Sequence, residues 1–293
     1  MLQQTQVKTA TPYFKNFIKK YPTQKKLSEA SEDQILALWS GLGFYRRARN
    51  IFKTKEIIKE KYNNRFPKEF HQLLELPGIG KSTAGAIMSL AYQNPHPILD
   101  GNVKRVITRL VNKNIDLLKE SQLWDLSSQF VNKENCFAYT QGIMDLGATV
   151  CTPTNPSCKD CPVQNQCMSA FNIINNKKRN VAQLKKVIPM NLSLIQTEDS
   201  LLLVKNEASS IWKNLWIPFE SRSLESYTNN FKLTSSQKIQ HELTHRRLNI
   251  KLNTYISTNE SKIKTNKKYK WIKKDRINEY GLPKPISKVI NEL

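Results

Sequence analysis

The sequence predicts a multidomain chain, with an all-α domain over about the first 150 residues and a smaller α+β domain after it. Three observations carry this. From residue 5 to about 150, apolar residues recur at three- and four-residue intervals. From 190 they alternate instead, the period of a half-buried strand. Between the two patterns lie four crowded cysteines and a basic stretch of little periodicity. A chain of 293 residues is long enough to give both parts a core.

The helical segments follow in order: "VKTATPYFKNFIKKY", "SEDQILALWSGL", "YRRARNIFKTKEIIKEKY", "KEFHQLLEL", "KSTAGAIMSLAY", "GNVKRVITRLV" and "SQLWDLSSQFV". Short polar, Pro or Gly breaks separate them. Ser31 stands as an N-cap, with acids in the first turn after it. Residues 168–189 hold five basic residues and no acid, which reads as a linker. Beyond it, "MNLSLIQ", a "TEDS" turn and "LLLV" form a hairpin. "LWIPFES", "HELTHRRLNIKLNTYIS" and "YKWIKK" add further strands. The expected division is 1–169, with its cysteine loop at 151–167, then a linker at 170–189 and a second domain at 190–293. No internal repeat is visible.

Lys and Arg number 46 against 24 Asp and Glu, a net charge of +22. Such a field favours a polyanion partner, most simply nucleic acid. A lysine-rich solvated surface would have the same composition. No run of about 18 apolar residues exists and no charged-then-apolar leader, so neither a membrane span nor secretion is expected and the cytoplasm is the expected location. The basic run "KIKTNKKYKWIKKDR" reads as a solvated face or a DNA contact.

The first residues, "MLQQTQV", look like a helix already under way. Leu2, Val7, Phe14, Phe17 and Ile18 fall at helical spacing, and no cap precedes them. Either this is a functional tip, or a piece is missing before it.

"CTPTNPSCKDCPVQNQC" places Cys151, Cys158, Cys161 and Cys167 in a C-x6-C-x2-C-x5-C pattern. Four thiolates so close can converge on one metal centre, and both zinc and a [4Fe–4S] cluster accept such a set. A zinc ribbon pairs two C-x2-C knuckles, whereas this loop has one. Spacing favours the cluster and leaves zinc and free thiols open. Cys136 lies outside the set and reads as a small buried residue.

In "LELPGIGKSTAGAIMSLAY" a helix ends at Leu76, "PGIG" turns, and a second helix begins near Ser82. Gly78 and Gly80 let the backbone approach a ligand, the amides at a helix N-terminus favour an anion, and Lys81 adds charge. This describes a helix-hairpin-helix that grips DNA phosphate without reading sequence. An ordinary αα-hairpin with a glycine turn is the alternative. Asp100, in "PHPILDGNVKRVITRL", precedes a helix that begins near Asn102. It is an N-cap by position, or a carboxylate sharing a groove with the hairpin 18 residues earlier. Lys104, Arg105 and Arg109 on the next helix are phosphate contacts or a solvated face.

Taken together, L-P-G-I-G, I-L-D-G-N-V-K-R-V and the cysteine pattern resemble the iron–sulfur helix-hairpin-helix DNA glycosylases. "MLQQTQV", "WSGLGFYRRARN", "STAGAI" and "DLGATVC" resemble the MutY adenine DNA glycosylases within that superfamily. "LWIPFES" and "THRRL" are similar to their Nudix-like C-terminal domain. The resemblance implies a helix-hairpin-helix glycosylase domain with a [4Fe–4S] loop on Cys151, Cys158, Cys161 and Cys167, then an α+β Nudix-like domain. It implies a base-excision repair enzyme that hydrolyses the glycosidic bond of adenine opposite 8-oxoguanine or guanine in duplex DNA, acting as a monomer. Asp100 matches the family's catalytic carboxylate. Leu2, Gln3, Gln4 and Thr5 would lie at the lesion. Phe44 stands where the family has a wedging tyrosine, and keeps the ring without the hydroxyl. Gly78, Gly80, Lys81 and Ser82 belong to the DNA-gripping hairpin. Lyases of the superfamily carry a nucleophilic lysine where Ser82 stands, so a monofunctional hydrolase is implied.

The departures carry their own expectations. The family's general acid is a glutamate two residues before the methionine that corresponds to Met1. An N-terminally incomplete, nearly inactive chain is therefore expected, without the family's first helix. Glu29 and Glu32 match no motif that would substitute. The lesion-sensing F-S-H tripeptide reads Leu243-Thr244-His245, keeping a hydroxyl at Thr244. The Nudix hydrolase box is absent, so that domain is not expected to cleave nucleotides. The rival readings are a lesion-binding protein of the same fold and an endonuclease III-like glycosylase/lyase.

Overall fold

A computed structural model describes residues 1–172, 185–207, 211–221, 231–257 and 268–293. Its helices are α1 (Val7–Lys20), α2 (Gln24–Ser28), α3 (Glu32–Leu38), α4 (Arg46–Tyr62), α5 (Phe70–Leu74), α6 (Lys81–Tyr92), α7 (Gly101–Leu110), α8 (Glu120–Phe130), α9 (Cys136–Asp145) and α10 (Lys284–Ile290). Its strands are β1 (Lys186–Gln196), β2 (Ser200–Lys205), β3 (Trp216–Ile217), β4 (Phe219–Glu220), β5 (Lys232–Glu242), β6 (Arg246–Ile256) and β7 (Tyr269–Lys273). No helix among the described residues is long and apolar enough to cross a membrane.

The chain divides into two compact units, Glu60–Arg179 and a second that joins Met1–Lys59 to Asn180–Leu293. This differs from the linear division expected at 169. The reason is where the apolar faces of the first helices are buried. Ile35, Leu36 and Trp39 of the α3 region share one core with Leu192 and Leu194 of β1, Leu201 and Leu203 of β2, and Leu248, Ile250 and Leu252 of β6. Acids at the start of α3 seal this contact. Asp33 accepts from the Trp216 indole at 3.1 Å and the Lys205 ammonium at 3.0 Å, and Glu32 accepts from the Asn214 amide at 2.8 Å. Ser31 caps α3 in a full capping box with Gln34.

The sheet of this unit is mixed, in order β3-β2-β1-β6-β5, with β4 on β1 and β7 on β2. β1 runs parallel to β6 and antiparallel to β2. Leu192 and Leu194 face one core while Ile195 and Leu202 face another with Phe219 and Phe231, so the C-terminal half of β1 is buried on both sides. β1 begins at Lys186, earlier than the expected 190. The segment expected as one strand, "HELTHRRLNIKLNTYIS", is a hairpin of β5 and β6 reversed at residues 243–245. The expected linker at 170–189 lies largely outside the described residues, as does part of the basic run at 262–276.

The other unit is helical. Ile98, Val103, Val106 and Ile107 meet Leu123 and Leu126 of α8 and Ile143 of α9 in one core. The buried face of α9 is Cys136, Thr140 and Ile143, with a polar residue in the middle of the stripe. After it the backbone widens into a π-turn over Leu146–Val150, closed by Cys151 N–H to the Leu146 carbonyl at 2.7 Å. Gly147 sits there against α7: a Cβ at this position would lie 2.7 Å from Asn102 Cβ.

Candidate active site and cysteine loop

The hairpin turn is built by burial at its base and openness at its tip. Leu73 and Leu76 are buried, and the Ile79 amide bonds the Leu76 carbonyl at 3.1 Å. Gly78 takes φ +86°, which a side chain disfavours. Gly80 is the N-cap of α6, no side chain caps that helix, and its first turn holds no acid. Lys81 stands at this positive end, with its ammonium 4.1 Å from the centroid of the Trp124 ring on α8.

Residues 97–99, which lead into Asp100, are held at every position. An added Cβ on Gly85 would come 2.3 Å from the Pro97 carbonyl oxygen, so α6 packs directly on this backbone. The Ser127 hydroxyl donates to the Ile98 carbonyl at 2.7 Å. The Leu99 amide donates to the Ser82 hydroxyl at 2.9 Å. The hairpin and Asp100 thus belong to one small constellation. Ser127 has no motif signal; only its burial on α8 reveals it.

Asp100 caps α7, and its Oδ1 accepts from the amides of Asn102 at 2.7 Å and Val103 at 2.8 Å. The carboxylate is exposed, and among the described residues Oδ2 accepts no hydrogen bond. One oxygen orients the group, and the other is open to a ligand.

Arg105 and Arg109 are not free for phosphate. They turn to the cysteine loop because its carbonyls have no helix or strand to satisfy them. Arg105 Nε donates to the Cys151 carbonyl at 2.7 Å, and its Nη2 reaches Asn102 Oδ1 at 2.9 Å. Arg109 donates to the Thr152 carbonyl at 2.8 Å, the Pro153 carbonyl at 3.0 Å and Cys151 Sγ at 3.3 Å. α7 therefore carries Asp100 at its start and braces the loop along its length.

Cys151, Cys158, Cys161 and Cys167 all line one cavity of about 30 Å³. None of the four is in a disulfide. Among the described residues no three His, Cys, Asp or Glu side chains stand in ready-made coordination geometry. The donor set still fits a thiolate-bound centre. Burial raises the Cys167 pKa, helped by the charges of Cys151, Cys161 and Cys158 and opposed by the Ser169 amide. Cys136 is buried away from the set, as expected.

In the unit that contains the sheet, Leu2 to Thr5 form a tight turn rather than helix, with the Thr5 amide on the Leu2 carbonyl at 3.1 Å. The helix expected from Leu2 begins at Val7 because Gln4 takes a left-handed φ of +56°. Leu2, Gln3, Gln4 and Phe44 are exposed. Thr244 and His245 are exposed at the β5–β6 turn, closed by the Leu243 amide on the Arg246 carbonyl at 2.8 Å.

Residues 1–123 match the model of the HhH-GPD superfamily base excision DNA repair proteins, and residues 191–292 match a NUDIX domain. The adenine DNA glycosylase of Buchnera aphidicola subsp. Schizaphis graminum is 39% identical over 309 residues, covering 99% of this chain and 88% of its own length. The chain belongs to the adenine DNA glycosylase family. Solved structures agree on the helical part. A thermostable thymine-DNA glycosylase superposes with a TM-score of 0.54 at 26% identity, over 59% of this chain and 81% of that one. A trapped endonuclease III–DNA covalent intermediate superposes with a TM-score of 0.50 at 25% identity, over 57% and 79%. As a member of the adenine DNA glycosylase family, the protein is a DNA-directed hydrolase of N-glycosyl bonds in base-excision repair. Its hairpin and Asp100 both fall within the glycosylase match, and its sheet from residue 191 onward within the Nudix match.

Proposed function

We propose that the protein removes adenine paired with 8-oxoguanine or guanine in duplex DNA, as a monofunctional hydrolase centred on Asp100. The observation that carries this is the pairing of a fixed backbone before Asp100 with an open Oδ2 at its tip. An enzyme of this kind extrudes the adenine from the stack to reach its glycosidic bond. Loss of the base leaves an oxocarbenium-like sugar, which one carboxylate stabilises or traps while another acid protonates the base. Asp100 supports the first role, since two amides lock Oδ1 and leave Oδ2 to the sugar. Ser82 offers a hydroxyl already engaged by Leu99, and no amine for a Schiff base. Gly78, Gly80 and Lys81 hold phosphate through open amides and charge. Leu2, Gln3, Gln4, Thr5, Phe44, Thr244 and His245 face the mispair. Cys151, Cys158, Cys161 and Cys167 hold a [4Fe–4S] cluster, which when bound supplies four iron–thiolate bonds that clamp the loop.

The test is single-turnover adenine release from an A:8-oxoguanine duplex. It is run on the 293-residue chain and on the same chain preceded by Glu-Val, the glutamate position taken from the family. Release without strand scission is the expected result from the form that carries Glu-Val. A borohydride-trapped adduct overturns monofunctional hydrolysis. Equal release from A:T and A:8-oxoguanine overturns the mispair assignment, and binding without release in both forms leaves the lesion-binding protein as the answer.

A further inference from the structure

Arg47, in the first turn of α4, points at the N-terminal turn rather than at solvent. Its guanidinium donates to the Met1 carbonyl, to the Gln3 carbonyl at 2.7 Å, to the Thr5 hydroxyl at 3.0 Å and to the Gly43 carbonyl at 3.4 Å. The same group lies 5.3 Å from the Phe44 ring centroid and 5.4 Å from that of Trp39. Trp39 in turn donates its indole N–H to the Gly43 carbonyl at 2.9 Å. Among the described residues no carboxylate pairs with Arg47; carbonyl oxygens, the Thr5 hydroxyl and ring faces surround its guanidinium, and its Nε is buried without a hydrogen-bond partner.

The two segments that Arg47 joins are both strained. Gln4 has φ +56° and Phe44 has φ +49°, a left-handed conformation that non-glycine residues disfavour. Strain of this kind persists only where surrounding contacts hold it. One backbone bond, from the Thr5 amide to the Leu2 carbonyl, closes the 2–5 turn. Within the turn the Thr5 hydroxyl adds a longer bond to the Gln3 carbonyl at 3.4 Å. Arg47 ties that carbonyl and that hydroxyl to α4, and its planar fork reaches several acceptors at once, which a lysine ammonium on one stem does not.

We propose that Arg47 is a positioning residue that fixes the 1–5 turn and Phe44 in one preformed register, and thereby sets how well the protein tells a damaged base pair from an intact one. The proposal rests on the reading of Leu2–Thr5 and Phe44 as lesion-facing. A preformed surface binds its target without first ordering it, so the gain falls on the lesion and not on plain duplex.

The experiment uses the full chain and the variants Arg47→Lys and Arg47→Gln, with Gln3→Ala/Phe44→Ala as a control. Three quantities are read: affinity for an A:8-oxoguanine duplex, affinity for an undamaged duplex, and hydrogen exchange at the Thr5 amide. Arg47→Lys keeps the charge and loses the fork. It is expected to exchange faster at Thr5 and to lose about tenfold in the ratio of the two affinities, with undamaged-duplex binding within about twofold. Arg47→Gln is expected to lose as much of the ratio. Equal loss on both duplexes would mean a phosphate contact and overturns the proposal. Lost discrimination with unchanged exchange would mean a direct base contact and overturns it as well. Discrimination retained in Arg47→Lys but lost in the control overturns positioning alone. Discrimination retained in the control overturns the lesion-facing reading, and the proposal with it.

Discussion

The Leu99 amide donates to the Ser82 hydroxyl at 2.9 Å, tying the first turn of the hairpin's second helix to the residue before Asp100. Leu99 is buried, so this amide has no water to fall back on. Ser82→Ala is expected to cost about 1–3 kcal/mol, the penalty of an unpaired buried donor, and to speed hydrogen exchange at Leu99. Ser82→Thr keeps the acceptor and is expected to restore protection. Urea melts and exchange at Leu99 check both.

Asp100→Asn separates the two roles of this side chain. Asparagine caps a helix about as well as aspartate, so the stability of α7 is expected to change by less than about 1 kcal/mol. The charge needed beside an oxocarbenium-like sugar is lost, and adenine release is expected to fall by about 10²-fold or more while duplex binding persists. Asp100→Ala removes cap and charge together, adding a loss of about 1 kcal/mol in stability. Single-turnover release in whichever form liberates adenine, set beside denaturant melts of each variant, tests this. An active Asp100→Asn protein would remove Asp100 from the chemistry.

Much of the hairpin and of α7 was legible because its signals are local: two glycines, a helix restart and an aspartate one residue before the helix. The β1–β2 hairpin was legible for the same reason, since alternation and a polar turn lie within a dozen residues. What was hidden depends on long-range contact. Arg105 and Arg109 sit on a basic helix face that reads as solvated or phosphate-binding, yet they satisfy carbonyls more than 40 residues away. The start of α3 reads as a routine acidic first turn, and nothing local says that Asp33 meets Trp216. The parallel pairing of β1 with β6 spans 60 residues and leaves no mark on either strand's own pattern.

Asp33 tests how firmly the N-terminal helices belong with the sheet. Its Oδ1 takes bonds from both Trp216 and Lys205, and the Lys205 side chain is only 18% exposed. Asp33→Ala leaves an indole N–H unpaired and Lys205 with only Glu32, 4.0 Å away. The expected cost is about 2 kcal/mol. Asp33→Ala combined with Lys205→Met is expected to cost less than the two single changes added, because no cation is then stranded. Additive losses in a double-mutant cycle would show that the pair does not interact.

The cysteine loop gives the last test, because its support comes from α7 rather than from itself. Protein purified without oxygen is expected to be brown and to hold iron, and Cys161→Ser is expected to lose most of it. Stoichiometric zinc without iron would replace the cluster by a zinc site. Arg109→Gln keeps all four thiols but leaves the Thr152 and Pro153 carbonyls short of their donor. The loop is then free to open, so iron is expected to be present at first and to leave faster on exposure to a chelator or to air. Because α7 also begins at Asp100, a loosened loop is expected to lower adenine release in step with iron loss. An Arg109→Gln protein that keeps iron as long as the parent would show that the loop holds itself.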